Sequence, residues 1–310
     1  MGDRSHSIDA ARAGATALQL LSDLYPRVPT SELTRALRDR AAVLNDRPCG
    51  PNQVLQAGDV LAVEEDLLTA VEPAPLPGLA ILHEEPDFLV CAKPPGVNVE
   101  ASRQQWARPL WAALLHHLRD TDLRPRLVHR LDAGTSGVLL VAKTREALRA
   151  LSAEFSERRV QKDYLALVRG LPPEQEGAIE TPLESSKGKL QDASTRWVLR
   201  EGFRRFAWLQ VTIGTGRTHQ IRRHLSGVGL PLAVDADYGG GRALLLSELK
   251  PSYRPPKGRP ERPLLERLSL HAWRLAFTTP RGERLSVEAP LPKDLEVCLK
   301  QLRKYDAARR

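Results

Sequence analysis

Leu18, Leu21 and Leu24 recur at helical spacing, and Leu33 and Leu37 follow Thr30 and Ser31, either of which can cap a helix. Two short helices are therefore predicted near the N-terminus. The run Val43-Leu44-Asn45-Asp46-Arg47 then has turn residues at its tip, and residues 56–63 read as a glycine turn entering a strand. Residues 72–78, EPAPLPG, hold three prolines and a glycine, which predicts a stiff linker over 73–78. Beyond it Phe88–Ala92, Val138–Ala142, Tyr164–Val168 and Phe206–Ile213 read as strands, the last with Ala207, Leu209, Val211 and Ile213 on one face. Helices are expected between some of them, one capped by Thr144 with Leu148, Leu151 and Phe155 in register, another over 218–225 ended by Gly227. The pattern as a whole predicts an α+β fold: a mixed, largely antiparallel sheet in residues 79–310, preceded by a small α/β module over 15–72. Residues 1–14 are expected to be a flexible N-terminus. The stretch 249–267 carries five prolines and six Lys/Arg against two Glu, so it is expected to be an exposed basic loop.

Charge changes this picture by dividing the chain. The 310 residues carry a formal net charge of +8, with 42% hydrophobic content, the composition of a folded globular chain. Residues 1–75 hold 7 Lys+Arg against 11 Asp+Glu, net −4, leaving 39 against 27, net +12, for residues 76–310. The basic character belongs to the long C-terminal part, and a polyanion such as nucleic acid is the favoured partner. Cys49, Cys91 and Cys298 are odd in number and lack C-x-x-C spacing, which argues against a disulfide framework or a cysteine zinc site and favours a reducing, cytoplasmic compartment. The polar N-terminus does not read as a signal peptide, and no apolar run reaches the roughly 20 residues that span a bilayer.

Four segments join glycines, charges and histidines to strand ends: Lys93-Pro-Pro-Gly96, residues 128–137 (VHRLDAGTSG), Gln161-Lys-Asp-Tyr164, and residues 214–224 (GTGRTHQIRRH). Gly134-Thr-Ser-Gly137 lacks the spacing of a hydrolase elbow and precedes a strand. The 214–218 turn lacks the lysine of a nucleotide-binding loop, and His219 and His224 are five apart, off the spacing for paired metal ligands. No metal and no cofactor are expected. What remains is one carboxylate, Asp132, among Arg130, glycines and hydroxyls; a lone aspartate at a strand entrance is usually a turn or cap residue.

The segment HRLDAGTSGVLLVAK closely resembles the catalytic motif of the RluA-type pseudouridine synthases. Three further segments agree with that family in order: ILHEEPDFLVCAKPPGV, QKDYLALVRG, and TGRTHQIRRHLSGVGLPLAVDADYGG followed by RLSLHAWRLAF. Residues 15–72 resemble, more loosely, the alpha-L RNA-binding module, with Arg27, Arg35, Arg38, Arg40 and Arg47 as its cationic side. The resemblance implies that Asp132 is the nucleophile acting on a target uridine, that Arg222 pairs with it, and that Tyr164 stacks on the base. It further implies that Arg130 fills the space of a flipped-out nucleotide and that Leu270 packs under the uracil. His129, Thr135 and Ser136 are expected to orient the aspartate loop. Lys93, Arg217, Arg35, Arg38 and Arg40 are candidate phosphate contacts. Val234 departs from the family, standing where relatives commonly have glycine.

The implied activity is isomerisation of uridine to pseudouridine in structured RNA, large-subunit ribosomal RNA first and transfer RNA as the alternative, by a monomer without membrane or metal. A noncatalytic RNA-binding or ribosome-assembly factor on the same fold is the competing reading. The trio Asp132, Tyr164 and Arg222 argues against it, because a binder has no need of an acid facing RNA phosphates.

Overall fold

The computed structural model describes residues 3–68, 70–99, 109–255 and 258–308. The chain divides into two compact units, residues 1–76 with 98–125, and residues 77–97 with 126–310. The first boundary falls inside the proline-rich segment. Residues 98–125, assigned from sequence to the C-terminal domain, cluster instead with the N-terminal unit. They supply a helix whose Leu110, Ala113 and Leu114 are buried and whose Ala112 carbonyl accepts from Ala74 N.

In the first unit, strands β1 (Asp3–Ser7), β2 (Ala42–Leu44), β3 (Arg47–Pro48) and β4 (Val60–Glu64) form a sheet in the order β1-β4-β2-β3. Helices α1 (Ala17–Leu24), α2 (Thr30–Arg38) and α3 (Pro109–His117) complete it. Leu21 of α1 and Leu33 and Leu37 of α2 pack with Leu61 and Val63 of β4, as their spacing predicted, whereas Leu20 takes a core position that the spacing did not assign and Leu18 and Leu24 are only partly buried. Two expectations fail. Residues 1–14 are not all loose, because β1 pairs with β4 from Arg4 opposite Val63 to Ser7 opposite Val60. DRSHS has no apolar alternation to announce a strand; it is an edge strand held by backbone hydrogen bonds, and Ile8 beside it is the buried anchor. Nor does Thr30 or Ser31 cap α2. Pro29 occupies the cap position at φ −61°, ψ 146°, with no side-chain bond, so its ring sets the entry angle instead. Between β2 and β3, Asn45 and Asp46 both adopt left-handed φ, the geometry of a tight hairpin turn.

The second unit is organised by one large sheet. Its strands are β5 (Ala80–Glu84), β6 (Phe88–Lys93), β7 (Arg126–Leu127), β8 (Ser136–Ala142), β9 (Gln161–Arg169), β10 (Glu176–Ile179), β13 (Thr195–Gly202), β14 (Phe206–Ile213), β15 (Leu270–Thr278) and β16 (Arg284–Glu288). Strands β11 (Leu183–Glu184) and β12 (Leu190–Gln191) make a separate hairpin. The order is β10-β13-β14-β9-β15-β8-β6-β5, with β16 beside β15 and β7 beside β8; β8 and β15 run parallel and the other neighbours antiparallel. Helices α4 (Arg145–Ser156), α5 (Gln220–Gly227), α6 (Leu246–Leu249) and α7 (Lys293–Tyr305) accompany it. Strand β14 is buried on both faces. Ala207, Leu209, Val211 and Ile213 meet Ile221 and Leu225 of α5, while Phe206 and Trp208 meet Leu295, Leu299 and Leu302 of α7. A strand covered on both sides reads as a continuous apolar run rather than an alternation; neighbouring β9 follows the same rule, whereas β13 alternates buried and exposed positions at its start.

Register fixes what lies at the sheet's functional end. Gly137 of β8, Ala272 of β15, Tyr164 of β9 and Val211 of β14 stand side by side across four strands. Gly137, at φ +118°, lies so near β15 that a Cβ there would be 2.0 Å from the Ala272 carbonyl oxygen. No other residue fits this position. Thr144 Oγ1 accepts from Ala147 N and caps α4, as read from sequence. Among the described residues, no helix is long and apolar enough to cross a membrane.

Candidate active site

Asp132 lies in the loop between β7 and β8, its side chain 21% exposed at the floor of an open pocket. The loop is tied from below. Thr135 N donates to the Asp132 carbonyl at 3.0 Å, and the Ala133 carbonyl accepts from Gly96 N at 2.8 Å and from Lys93 Nζ at 3.0 Å. Lys93 also donates to the Pro94 and Val97 carbonyls, so its ammonium gathers the end of β6 and the aspartate loop together. Burial, with the charge of Arg267, pulls this ammonium down to about 7 against the opposing pull of Asp132 and Cys91.

The opposite wall comes from the turn between β14 and α5. Gln220 is buried and spends its whole amide there: Oε1 accepts from Thr215 Oγ1 and Arg217 N, and Nε2 donates to Ser194 O and Thr195 Oγ1. That bracket fixes the start of α5. His219, the residue before the helix, is held in the left-handed region at φ 53°, and its Nε2 lies 3.9 Å from Asp132 Oδ1 while Nδ1 meets Tyr238 Oη at 2.9 Å. Arg222, one turn on, is nearly fully buried and points Nη1 at Asp132 Oδ2 over 3.7 Å. Its Nε and one Nη2 bond go to Asp235 at 2.7 Å each, and Nη2 also reaches Asp237 at 2.7 Å. Burial alone would lower this guanidinium; the bonds from Asp235 and Asp237, with the Asp235 and Asp132 charges, raise it instead.

Tyr164 and Leu270 line the same pocket with Ile213, Arg130, Arg217 and Thr135. Burial, and next the Asp132 charge, push the Tyr164 phenol well above its usual range, so it is a protonated hydrogen-bond donor at neutral pH. The arrangement is an apolar slot for a flat ring, a carboxylate at one side, and cations at the mouth. A profile of the RNA pseudouridylate synthase family matches residues 87–227, which contain every one of these groups except Asp235, Asp237, Tyr238, Arg267 and Leu270. Ribosomal large subunit pseudouridine synthase D of Neisseria meningitidis serogroup B is 33% identical, covering 94% of this chain and 79% of that protein.

The chain belongs to the RNA pseudouridylate synthase family, RluA type.

Ribosomal large subunit pseudouridine synthase C of Escherichia coli K12 is 34% identical, covering 96% of each chain. Among solved structures, Human RNA Pseudouridylate Synthase Domain Containing 1 matches with TM-score 0.54 and 27% identity, over 77% of this chain and all of that one. Human RNA Pseudouridylate Synthase Domain Containing 4, TM-score 0.57 at 23% identity over 72% of this chain, shares the fold.

The synthase fold brings Asp132, Tyr164, Arg222, Arg130, Leu270 and Arg217 to one pocket. Arg217 is anchored by its Nε to the Asp192 carbonyl, and Arg130 is exposed at the rim. Several expected roles change. Lys93 is not a phosphate contact, since it is buried and committed to three carbonyls. His129 joins β8 to the aspartate loop: Nε2 accepts from Leu140 N at 3.0 Å, the ring stacks on Phe155, and the ring also bonds the Arg130 backbone within the loop. Burial, helped by the Lys162 charge, drives it down to about 3, so it is a neutral acceptor for β8. Thr135 orients the loop through its backbone only, and its buried Oγ1 has no partner. Ser136 does anchor the loop's end: His271 Nε2 can only donate to the Ala289 carbonyl, so Nδ1 accepts from Ser136 Oγ at 3.0 Å. In the first unit Arg38 and Arg40 are exposed, whereas Arg35 is engaged by Glu32. Val234 is accommodated because its position is extended core, with N donating to Ser269 Oγ.

Sequence reasoning passed over His219, Gln220, Asp235, Asp237 and His271. All five sit inside the quoted segments, His219 and Gln220 beside a glycine turn, Asp235 and Asp237 in VDADYGG, and His271 in RLSLHAW, so their place in those motifs was the available signal. That the two aspartates meet Arg222 is decided by the fold.

Proposed function

We propose that this chain isomerises uridine to pseudouridine in large-subunit ribosomal RNA, with Asp132 as the nucleophile, Tyr164 against the base and the Arg222 cation facing the carboxylate. The observation that carries the reading is the meeting of an accessible carboxylate, a buried arginine and an aromatic and aliphatic slot in one pocket. The reaction breaks the N1–C1′ bond, turns the uracil, and forms C5–C1′; C5 loses a proton and N1 gains one. Asp132 serves this at the sugar, either by attack at C1′ or by helping a glycal to form, and both routes need the carboxylate ionised. Tyr164, Leu270 and Ile213 hold the detached ring by apolar contact and keep water from the sugar. Tyr164 serves as a donor and a stacking face rather than a base, because its phenol is held protonated. Arg130 at the rim suits the space vacated by a flipped nucleotide, offsetting the few kcal/mol that extrusion costs.

The ribosomal target is supported by the names of relatives that align along nearly the whole chain. Three free, buried thiols, Cys49, Cys91 and Cys298, support work in the cytoplasm. Asp132→Asn is expected to abolish pseudouridine formation, measured by carbodiimide mapping of ribosomal RNA, while RNA affinity stays within about threefold of the parent. Equal modification by the variant, or maps of ribosomal RNA that do not change when the protein is removed from cells, would sink the assignment.

A further inference from the structure

Arg222 faces three carboxylates with one guanidinium. Its Nε and Nη2 edge is closed by Asp235, itself buried, at 2.7 Å on both oxygens, and Nη2 is shared with Asp237 at 2.7 Å. Asp132, on Nη1, is a full ångström farther away at 3.7 Å. A fork that spends its best geometry on Asp235 has little directional bonding left for Asp132. The two aspartates are also pre-arranged: Asp237 N donates to Asp235 Oδ1, and Asp235 N donates to the Gly241 carbonyl. Gly240 permits this turn, since a Cβ there would lie 2.3 Å from the Leu232 oxygen. The Tyr238 ring closes the arrangement over the guanidinium at 4.7 Å.

We propose that Asp235 and Asp237 are positioning residues that lock the Arg222 guanidinium and take up most of its charge, leaving Asp132 loosely held and free to reach the sugar. This rests on the reading of Asp132 as the nucleophile. A carboxylate clamped bidentate by arginine is geometrically fixed and a poor nucleophile; one that feels a shared arginine at longer range stays ionised without being immobilised. The groups facing Asp132 are Arg222 and His219 from α5 and its cap, Tyr164 from β9, Lys93 from β6, and Arg130 of its own loop. Arg222 is bonded directly to Asp235 and Asp237, so a change at either aspartate reaches the guanidinium that faces Asp132.

Asp237→Asn tests this without threatening the fold, because the Asp237 side chain is 70% exposed; Asp235→Asn is the stronger perturbation. In the free protein, nitrogen-15 NMR follows the Arg222 guanidinium, identified by its loss in Arg222→Lys. Its Nε–H is expected to exchange with water about tenfold faster in Asp235→Asn, which weakens the acceptor of that bond, and up to about threefold faster in Asp237→Asn. With RNA, kcat at neutral pH is expected to drop about tenfold in Asp235→Asn with KM staying within about twofold. An Nε–H exchange rate unchanged in both folded variants overturns the proposal. Faster exchange in variants of a protein that makes no pseudouridine would overturn the assigned reaction while leaving the lock measured.

Discussion

Thr135 shows how one side chain can be read differently in a motif and in a structure. Beside the aspartate it looks like a loop brace, yet its buried hydroxyl bonds nothing and lines the pocket. An unpaired buried hydroxyl costs about 1–3 kcal/mol, which a ligand atom can recover. Thr135→Val, of equal shape, is therefore expected to leave the urea midpoint unchanged or raised and to lower kcat/KM roughly tenfold; unchanged kcat/KM would return Thr135 to a packing role. The buried imidazoles give a second prediction. Burial lowers His129 to about 3 and His271 to about 4, whereas the unfolded chain titrates near 6.5. Between those values the unfolded state binds more protons than the native one, so stability falls as pH drops from about 6.5 toward 4, by up to about 1.4 kcal/mol per pH unit for each ring. Urea melts at pH 7, 6 and 5 measure it, and His271→Gln should flatten the slope; an identical slope would refute the assignment. The family resemblance pointed to Asp132, Tyr164 and Arg222, but not to the inward-facing positions of His129 and Lys93, because burial is a property of the neighbours.

Elements in this chain were legible in proportion to how much of their own sequence stabilises them. Strand β14 was read end to end from its apolar run, and α4 from Thr144 and its leucines. The edge strand β1 carried no such pattern, since backbone pairing to β4 is its main support. Helix α5 begins at Gln220 rather than Thr218, because the Gln220 amide bonds force the turn to run two residues longer. That bracket makes the turn a rigid element. Gln220→Ala removes four bonds at once and leaves Thr195 Oγ1 and Thr215 Oγ1 short of partners, so a stability loss of about 2–4 kcal/mol is expected in urea unfolding. Loosening the turn that carries His219 and Arg222 is expected to lower kcat more than KM; kcat intact in a destabilised variant would show that the turn needs no bracing.

At the scale of the molecule, the charge division assigned net −4 to residues 1–75, yet the unit they form also includes residues 98–125. Cutting at the proline-rich segment would strip α3 of the body it belongs to, so the RNA role of this unit is better tested by substitution. Arg38 and Arg40 are exposed and free of the Glu32 pairing that engages Arg35. Arg38→Gln with Arg40→Gln is expected to weaken ribosomal RNA binding and to reduce the slope of log K against log salt by up to about 2; an unchanged slope would leave the unit without a phosphate-binding role. The family and the α+β class were determined by the sequence, and its motifs also pointed to Asp132 and Arg222 as the proposed nucleophile and its partner, because a chemical motif must keep its residue types at fixed spacing beside its strands. Only the tertiary structure decided that Arg222 is shared among three carboxylates, that Lys93 is a buried clamp, and that residues 98–125 belong with the N-terminal unit. Each of those depends on which distant segments the sheet and its crossovers bring into contact, and no local stretch of chain encodes that distance.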